Sequence, residues 1–282
     1  MTAVIAGESD EEVLVVAHIC HPRPSANDNA SGVGGVLEMA RVLRLLVSEG
    51  RLPPLRRTIR FLLPPEIYGT YAYLASDERR LGRTIAAINL DMVGEDQELC
   101  GSSFLVERLP HAMAAPVDTL AVAIQEALAQ ESHGLSGLGS FALFRYSSTP
   151  FNGGSDHYVL SDPTVGIPCP MLIQWPDRFY HTTFDTPDKV DPASLRRAGL
   201  VAATYAVFLA AAGSEEAAWL AYESQTLYKA QIARLGQDAA TAIRLSPTLT
   251  QGKKDADSAL AVAGDLDRLK KRLLYLADRQ QA

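Results

Sequence analysis

Short apolar runs alternate with longer amphipathic stretches along much of this chain. The runs are rich in aliphatic and β-branched residues, which is typical of strands buried on both faces of a sheet. Between the first two runs, residues 30 to 46 carry apolar side chains at helical spacing. This alternation predicts an α/β fold of βαβ units around a largely parallel sheet. The predicted strands are residues 13–17, 57–63, 84–90 and 170–175.

The region between the third and fourth runs is less regular, and the pattern becomes helical after them. Helical spacing predicts helices over residues 116–130 and 192–212. Stretches rich in glycine and serine at residues 132–140 and 146–154 are typical of loops that shape a binding pocket.

The character of the chain changes beyond residue 213. An alanine- and leucine-rich run begins at Ser214, and leucines recur at roughly helical intervals over residues 265–279. We expect a main α/β domain over residues 1–213 and a helical extension over residues 214–282. The extension is expected to pack on its own domain, and an oligomer formed through these helices is the alternative.

Side chains of the kind that bind metal ions follow each of the four predicted strands. His18, Glu66, Asp91 and His181 all come shortly after a strand ends. Ligands gather beyond the carboxyl ends of parallel strands in an open α/β sheet, so we expect these side chains to converge. Asp28 lies near the predicted start of the first helix, where unpaired amides favour a carboxylate and where it could also serve only as a cap.

These residue types suit one kind of chemistry. Neutral imidazole and carboxylate oxygen are preferred ligands of zinc and related divalent ions. An unligated carboxylate beside a water molecule that a metal has made acidic can act as a general base. The pattern therefore predicts a hydrolytic metal site with Glu66 as the candidate base.

Composition excludes several partners. The net charge is −7, and no dense Lys/Arg tract is interleaved with aromatic residues, so a nucleic-acid partner is not expected. The three cysteines, Cys20, Cys100 and Cys169, are scattered and imply no disulfide framework. No apolar run reaches membrane-spanning length and no signal peptide opens the chain, so we expect a cytoplasmic protein with no membrane partner.

Three motifs resemble the zinc aminopeptidases of peptidase family 28, which include bacterial leucyl aminopeptidases and glutamate carboxypeptidase. They are Asp-Asn-Ala-Ser-Gly from Asp28, Asn-Leu-Asp-Met around Asp91, and His-Thr-Thr-Phe-Asp-Thr from His181. The resemblance covers residues 13 to about 210. It implies a three-layer α/β/α fold of the phosphorylase/hydrolase type, with a mostly parallel mixed sheet, and one or two zinc ions. The residues alone also permit manganese or cobalt.

The resemblance also implies a role for each candidate residue. In this family the counterpart of His18 binds one metal ion and that of Asp28 bridges two. Asp91 corresponds to a further ligand, and His181 to the residue that completes the second site. Glu66 corresponds to the general base.

Substrate-contacting residues are expected near this site. The Ser-Asp-His segment that contains Asp156 and His157 resembles a family segment near the pocket. Tyr180 directly precedes the late histidine. We therefore expect Asp156, His157 and Tyr180 to bind substrate.

Two departures from the family pattern concern the metal site. Relatives carry two adjacent glutamates where this chain has Pro65-Glu66-Ile67, so one acidic group is absent. If the distance to Gly69 fixes the register, Glu66 takes the position of the base and a ligand is lost; if the distance from Phe61 fixes it, the assignment of Glu66 stays open. Cys20 stands where relatives usually have an aspartate that orients the imidazole. His21 is then a candidate replacement ligand at the second metal, an alternative to His18 as primary ligand, or a loop residue that only forms a hydrogen bond. Cys20 is a further candidate ligand, or a small buried hydrophobe.

The sequence as a whole predicts a metal-dependent hydrolase, specifically an aminopeptidase acting on a peptide or a small amide substrate. A different amide-directed reaction on the same fold, such as deacylation or glutaminyl cyclisation, is the alternative among enzymes. The missing glutamate favours a third hypothesis, that the chain is a degenerate non-catalytic domain used for binding or assembly. The abrupt start at a strand-like segment suggests a fragment that lacks an N-terminal portion present in relatives.

Overall fold

A computed structural model describes residues 1–113, 115–129 and 144–245, and residues 264, 267, 268, 270, 271 and 274 of the C-terminal part. Contacts divide the chain into two compact units, Met1–Glu216 and Ala217–Ala282. The first unit contains a seven-stranded sheet. Its strands are β1 (Thr2–Ile5), β2 (Glu12–Val16), β3 (Thr58–Leu62), β4 (Thr84–Leu90), β5 (Ser103–Glu107), β6 (Tyr146–Thr149) and β7 (Met171–Trp175).

The sheet is mixed and mostly parallel, which confirms the predicted fold class. Its spatial order is β1-β3-β2-β4-β7-β5-β6. The four adjacent strands β3, β2, β4 and β7 run in the same direction. β1 pairs antiparallel at one edge, and β5 and β6 run the opposite way at the other edge. The four parallel strands are those predicted from the sequence, with ends that differ by at most one residue.

Helices pack on both faces of the sheet. All five residues of β2 are buried, which explains its unbroken apolar run. Leu14 and Val16 cluster with side chains of α2 and α6 on one face. Strand geometry turns Val13 and Val15 to the other face, where α1 and α7 contact the central strands. The helices are α1 (Gly32–Ser48), α2 (Tyr68–Ala75), α3 (Arg79–Arg83), α4 (Gln97–Cys100), α5 (Val117–Ala129), α6 (Asp156–Leu160), α7 (Pro192–Ala211) and α8 (Ser214–Leu245).

The region between β4 and β7 differs from the sequence prediction. β5 is not among the predicted strands, and the predicted loop at residues 146–154 begins with β6. β6 lies at the sheet edge and is largely exposed, so its sequence lacks the apolar run that marks the central strands. Residues 150–154 do form a loop. The predicted loop at residues 132–140 lies outside the described residues.

The C-terminal part begins with a long helix. α8 starts at Ser214, and its first turn carries Glu215 and Glu216, which the helix dipole favours at that end. The division into residues 1–213 and 214–282 stays a prediction, and most of the predicted leucine-bearing helix at residues 265–279 lies outside the described residues. Within the described part of the chain, no helix is both long and apolar enough to cross a membrane.

Candidate metal centre

Side chains that follow the four parallel strands meet at one edge of the sheet. His18 follows β2, Glu66 follows β3, Asp91 follows β4, and His181 follows β7. His18 Nε2 lies 3.3 Å from Asp91 Oδ1 and 4.0 Å from Glu66 Oε1. The convergence expected from the strand ends is therefore present.

Asp28 lies between two groups of candidate ligands. Its Oδ1 is 3.4 Å from His18 Nε2. Its Oδ2 is 3.4 Å from His21 Nε2 and 3.2 Å from His181 Nε2. One carboxylate thus faces both groups, with one oxygen directed to each.

The backbone amides of the loop that carries Asp28 are held by Asp185. Asp185 Oδ1 accepts hydrogen bonds from the backbone N–H groups of Ala26 (3.1 Å) and Asn27 (2.7 Å). Its Oδ2 accepts from the N–H of Asp28 (3.0 Å) and from the hydroxyl of Ser25. Asp185 is buried, and its role could not be read from the sequence because its partners lie more than 150 residues away.

Asn29 joins the same loop to the end of β4. Its Nδ2 donates to the carbonyl of Leu90 (2.9 Å), and its Oδ1 accepts from the N–H groups of Met92 and Gly32 (3.1 Å each). The Asp28–Asn29 peptide is cis. A Cβ atom on Gly32 would lie 2.3 Å from Asn29 Oδ1, so this position requires glycine. Asn29 therefore fixes Asp28 relative to Asp91.

Backbone carbonyls orient both loop histidines. His18 Nδ1 lies 2.9 Å from the carbonyl oxygen of Cys20, and His21 Nδ1 lies 2.7 Å from that of Arg23. A carbonyl oxygen can only accept, so each Nδ1 carries the proton and donates. The Nε2 atoms then face the carboxylates, and the second nitrogen of a metal-bound histidine is usually anchored in this way.

The carboxylates of the site favour a bound cation. Burial alone would lower the pKa of His18, but the neighbouring carboxylates of Asp28 and Asp91 raise it to about 11. Asp91 Oδ1 and His21 Nε2 are buried and have no hydrogen-bond partner. Carboxylate oxygens and imidazole nitrogens gathered without such partners fit a divalent metal ion.

Glu66 lies in a tight turn beside this cluster. Burial, together with the charges of Asp91, Asp156 and Asp28, raises its pKa to about 7 against the opposing effect of His18. The carbonyl of Glu66 accepts from the N–H of Tyr68 (2.5 Å) across Ile67, whose φ of 56° and ψ of −67° form a classic γ-turn.

The side chains of Asp156 and Cys20 accept hydrogen bonds from backbone N–H groups of that turn. Asp156 Oδ1 accepts from the N–H of Ile67 (2.8 Å) and from the hydroxyl of Thr70 (2.7 Å). The Cys20 thiol accepts from the N–H of Glu66 (3.1 Å), so its sulfur is directed to the turn.

Backbone strain concentrates at the same place. Among the described residues, the non-glycine residues with positive φ are Ile67 (56°), Met92 (56°) and His181 (54°). The first two directly follow Glu66 and Asp91, and the third is itself a candidate ligand. Such conformations cost of order 1–3 kcal/mol each and cluster at functional sites.

A cleft of about 1100 Å³ opens onto the cluster. Its apolar lining includes Leu105, Ile173 and Trp175. Tyr180 lies at its rim, where its ring stacks on His181 at 3.8 Å and meets Trp175 edge-on at 5.0 Å. Burial and the carboxylates of the site raise the pKa of Tyr180, so its hydroxyl keeps its proton.

The expectation that Asp156 and His157 contact substrate does not fit this geometry. Both side chains are fully buried and do not line the cleft. Asp156 supports the turn at Glu66, and His157 Nε2 pairs with Glu107 Oε1 at 2.8 Å. Their motif is correctly near the pocket, but α6 directs both side chains inward. Glu107, which the sequence analysis did not single out, lines the cleft in their place.

The fold and the site together define a class. A parallel-stranded α/β/α sandwich whose strand ends carry His, Asp and Glu around one shared carboxylate is the arrangement of metal-dependent hydrolases. The chain belongs to peptidase family M28, whose family model matches residues 1–206. This match confirms the family indicated by the three motifs.

Individual relatives agree with that assignment. A Clostridium acetobutylicum protein with an aminopeptidase-like domain is 32% identical over 91 residues, which are 32% of this chain and 19% of that protein. The structure is similar to a zinc aminopeptidase from Bacillus subtilis, with 27% identity and a TM-score of 0.57 over 74% of this chain and 49% of that one. A glutaminyl cyclase from an Acidobacteriales bacterium shares the fold, with 21% identity and a TM-score of 0.53 over 74% and 72% of the two chains. The chain thus spans about a fifth of the first protein and about half of the second.

Proposed function

We propose that this chain is a zinc-dependent aminopeptidase that removes N-terminal residues from peptides or small amides. The observation that carries the proposal is the meeting of His18, Asp28 and Asp91 beside Glu66 in one cleft. His18, Asp28 and Asp91 would hold the first ion. A bound zinc ion supplies Lewis acidity, which makes a water molecule more acidic and polarises a carbonyl group.

Glu66 is suited to move the proton. Burial and the neighbouring carboxylates raise the pKa of Glu66 to about 7 in the metal-free site, and a bound cation would lower it, so its carboxylate can accept a proton from the attacking water and return it to the departing amine. Tyr180 lines the same cleft and its hydroxyl retains its proton, so it can donate a hydrogen bond to the carbonyl oxygen as negative charge develops there.

The charge of the cleft favours a substrate with a free amine. Asp28, Glu66, Asp91 and Glu107 all line it, whereas no Lys or Arg is found among its described lining residues. Bound zinc would offset the charges of Asp28 and Asp91, which leaves Glu107 as a lining carboxylate outside the ligand set that can attract an N-terminal ammonium group, whereas a substrate carboxylate would find no Lys or Arg in the described part of the lining. The apolar part of the lining then suits the first side chain of the substrate.

The test compares free and blocked amines on the zinc-loaded chain. Leucine p-nitroanilide should be hydrolysed and its N-acetyl form should not. Glu66→Gln should keep its zinc and lose about 10²–10⁴-fold in kcat, the usual contribution of a general base. Glu38→Gln, on the exposed surface of α1, is the matched control and should retain activity. Hydrolysis retained by Glu66→Gln would remove the base assignment.

Glutaminyl cyclisation is the second candidate, and the shared fold with the cyclase from the Acidobacteriales bacterium favours it. Ammonia release from a peptide with N-terminal glutamine, without hydrolysis of leucine p-nitroanilide, would support it. A preference for the N-acetyl substrate would point instead to deacylation. A chain that binds no zinc would support a non-catalytic binding or assembly domain. A cytoplasmic location, the absence of nucleic-acid and membrane partners, and an oligomer through the C-terminal helices stay predictions.

A further inference from the structure

The second candidate group around Asp28 contains an unexpected residue. The resemblance to peptidase family 28 implies a second glutamate on this side of the site, but the residue after Glu66 is Ile67 here. His21 lies there in its place, with Nε2 3.4 Å from Asp28 Oδ2 and its ring centre 5.5 Å from that of His181. One ligand atom each from His21, Asp28 and His181 lie within 4.8 Å of one another.

The orientation of His21 is that of a metal ligand. Its Nδ1 donates to the carbonyl of Arg23, which directs Nε2 towards Asp28. That Nε2 atom is buried and has no hydrogen-bond partner. A loop histidine that served only to form hydrogen bonds would have no reason to bury an unpaired nitrogen against a carboxylate, because such burial is costly.

His18 repeats the same arrangement on the other side of the carboxylate. Its Nδ1 is anchored to the carbonyl of Cys20, two residues ahead, as that of His21 is to Arg23. The two histidines of the His-Ile-Cys-His segment therefore approach Asp28 from different sides, one towards each oxygen.

We propose that His21 replaces the missing glutamate as a ligand of a second metal ion, held by His21, Asp28 and His181, with Asp28 bridging the two ions. The proposal rests on the proposed function for the first ion, held by His18, Asp28 and Asp91. Both histidines are then metal ligands, His18 at the first ion and His21 at the second.

The exchange of carboxylate for imidazole has a measurable consequence. The first site combines one imidazole with two carboxylates, whereas the second combines two imidazoles with one shared carboxylate. The loss of a carboxylate lowers the electrostatic attraction for manganese, which prefers oxygen ligands, whereas imidazole nitrogens favour zinc, cobalt or nickel. The second site is therefore expected to select metals that prefer nitrogen ligands and to hold manganese weakly.

Metal stoichiometry tests the proposal without relying on activity. The full chain, stripped with a chelator, is dialysed against Zn²⁺ or Mn²⁺ and its metal content is measured by elemental analysis. The unaltered chain should bind two zinc ions but only one manganese ion. His21→Ala and His181→Ala should each bind one zinc ion, and the double variant should also bind one, because both residues hold the same ion. Cys20→Ser should bind two, which distinguishes the imidazole from the neighbouring thiol.

Two zinc ions in His21→Ala, or only one in the unaltered chain, would overturn the proposal. A thermal melt of each variant confirms that it is folded, and the stoichiometry of the unaltered chain is decisive even if one variant does not fold. The outcome is separable from that for the proposed function. Hydrolysis with one zinc ion would overturn only this inference, and two bound zinc ions without hydrolysis would overturn only the aminopeptidase.

Discussion

Asp156 offers a sharp test of how the site is built, because its side chain holds the turn that presents Glu66. Its Oδ1 accepts both hydrogen bonds, from Ile67 and Thr70, while Oδ2 has no partner. Burial raises the pKa of this carboxyl group. The geometry predicts that Oδ1 of Asp156 matters chiefly as a hydrogen-bond acceptor, and that its charge matters only through its smaller effect on the pKa of Glu66.

Two substitutions separate acceptor from charge. Asp156→Ala removes the acceptor and leaves the N–H of Ile67 without its partner, at a cost of about 1–3 kcal/mol. The positive-φ conformation of Ile67 costs of order 1–3 kcal/mol and persists only while its surroundings hold it. The turn should therefore relax, and a displacement of the Glu66 carboxylate by about 1 Å can lower the rate about 10²-fold. Asp156→Asn keeps an oxygen in the position of Oδ1 and should preserve the turn.

The assay measures kcat, KM and zinc content with leucine p-nitroanilide. Asp156→Ala should lose about 10²-fold in kcat with zinc content and KM unchanged. Asp156→Asn should remain close to the unaltered chain in kcat, although its unpaired buried amide lowers the melting temperature. Asp162→Ala, in a nearby exposed turn, is the control. An Asp156→Asn variant that loses as much kcat as the alanine variant and gains KM would refute the reasoning and restore direct contact with substrate.

Three further outcomes are expected. Burial raises the pKa of Glu95 from 4.5 to about 9, so the folded chain keeps a proton that the unfolded chain has lost. The stability that this group contributes is fully present below pH 4.5 and is lost as the pH rises towards 9, by up to about 1.4 kcal/mol per pH unit. The melting temperature of Glu95→Gln should therefore fall less steeply over that pH range than that of the unaltered chain. Equal slopes for the two proteins would contradict this. Asp185→Ala should weaken zinc binding about 10–100-fold by releasing the loop that carries Asp28, and unchanged affinity in equilibrium dialysis would oppose that role. Tyr180→Phe should lower kcat about 10²–10³-fold with little change in KM if its hydroxyl stabilises the developing charge, whereas a change in KM alone would assign it to ground-state binding.

The local sequence pattern was sufficient to predict the candidate ligands that follow the parallel strands. The apolar runs before His18, Glu66 and Asp91 mark buried strands, and the rule that parallel strand ends share an edge brings their polar successors together. The same reasoning extends to His181 after β7. These placements need no knowledge of side-chain orientation, which is why the sequence could predict them.

The sequence could not predict side-chain direction or hydrogen-bond partners that lie far away in the chain. Asp156 and His157 lie in a motif near the pocket, but the start of α6 turns both inward, and nothing in the residue pattern fixes that rotation. Asp185 holds Asp28 across 157 positions of chain, so no local periodicity reveals it. β6 was missed because an exposed edge strand lacks the apolar run that identifies a buried one.

The structure weakens the argument that the missing glutamate indicates a non-catalytic domain. The strained residues Ile67, Met92 and His181 together cost a few kcal/mol or more, against a net stability of about 5–15 kcal/mol for a typical domain. Unpartnered buried atoms at His21 and Asp91 add to that cost. A chain that needed only the fold for binding or assembly would gain stability by relaxing these features. Their concentration around one cleft is explained if a bound cation compensates for them, and this links the strain, the unpaired ligand atoms and the proposed hydrolase in one physical account.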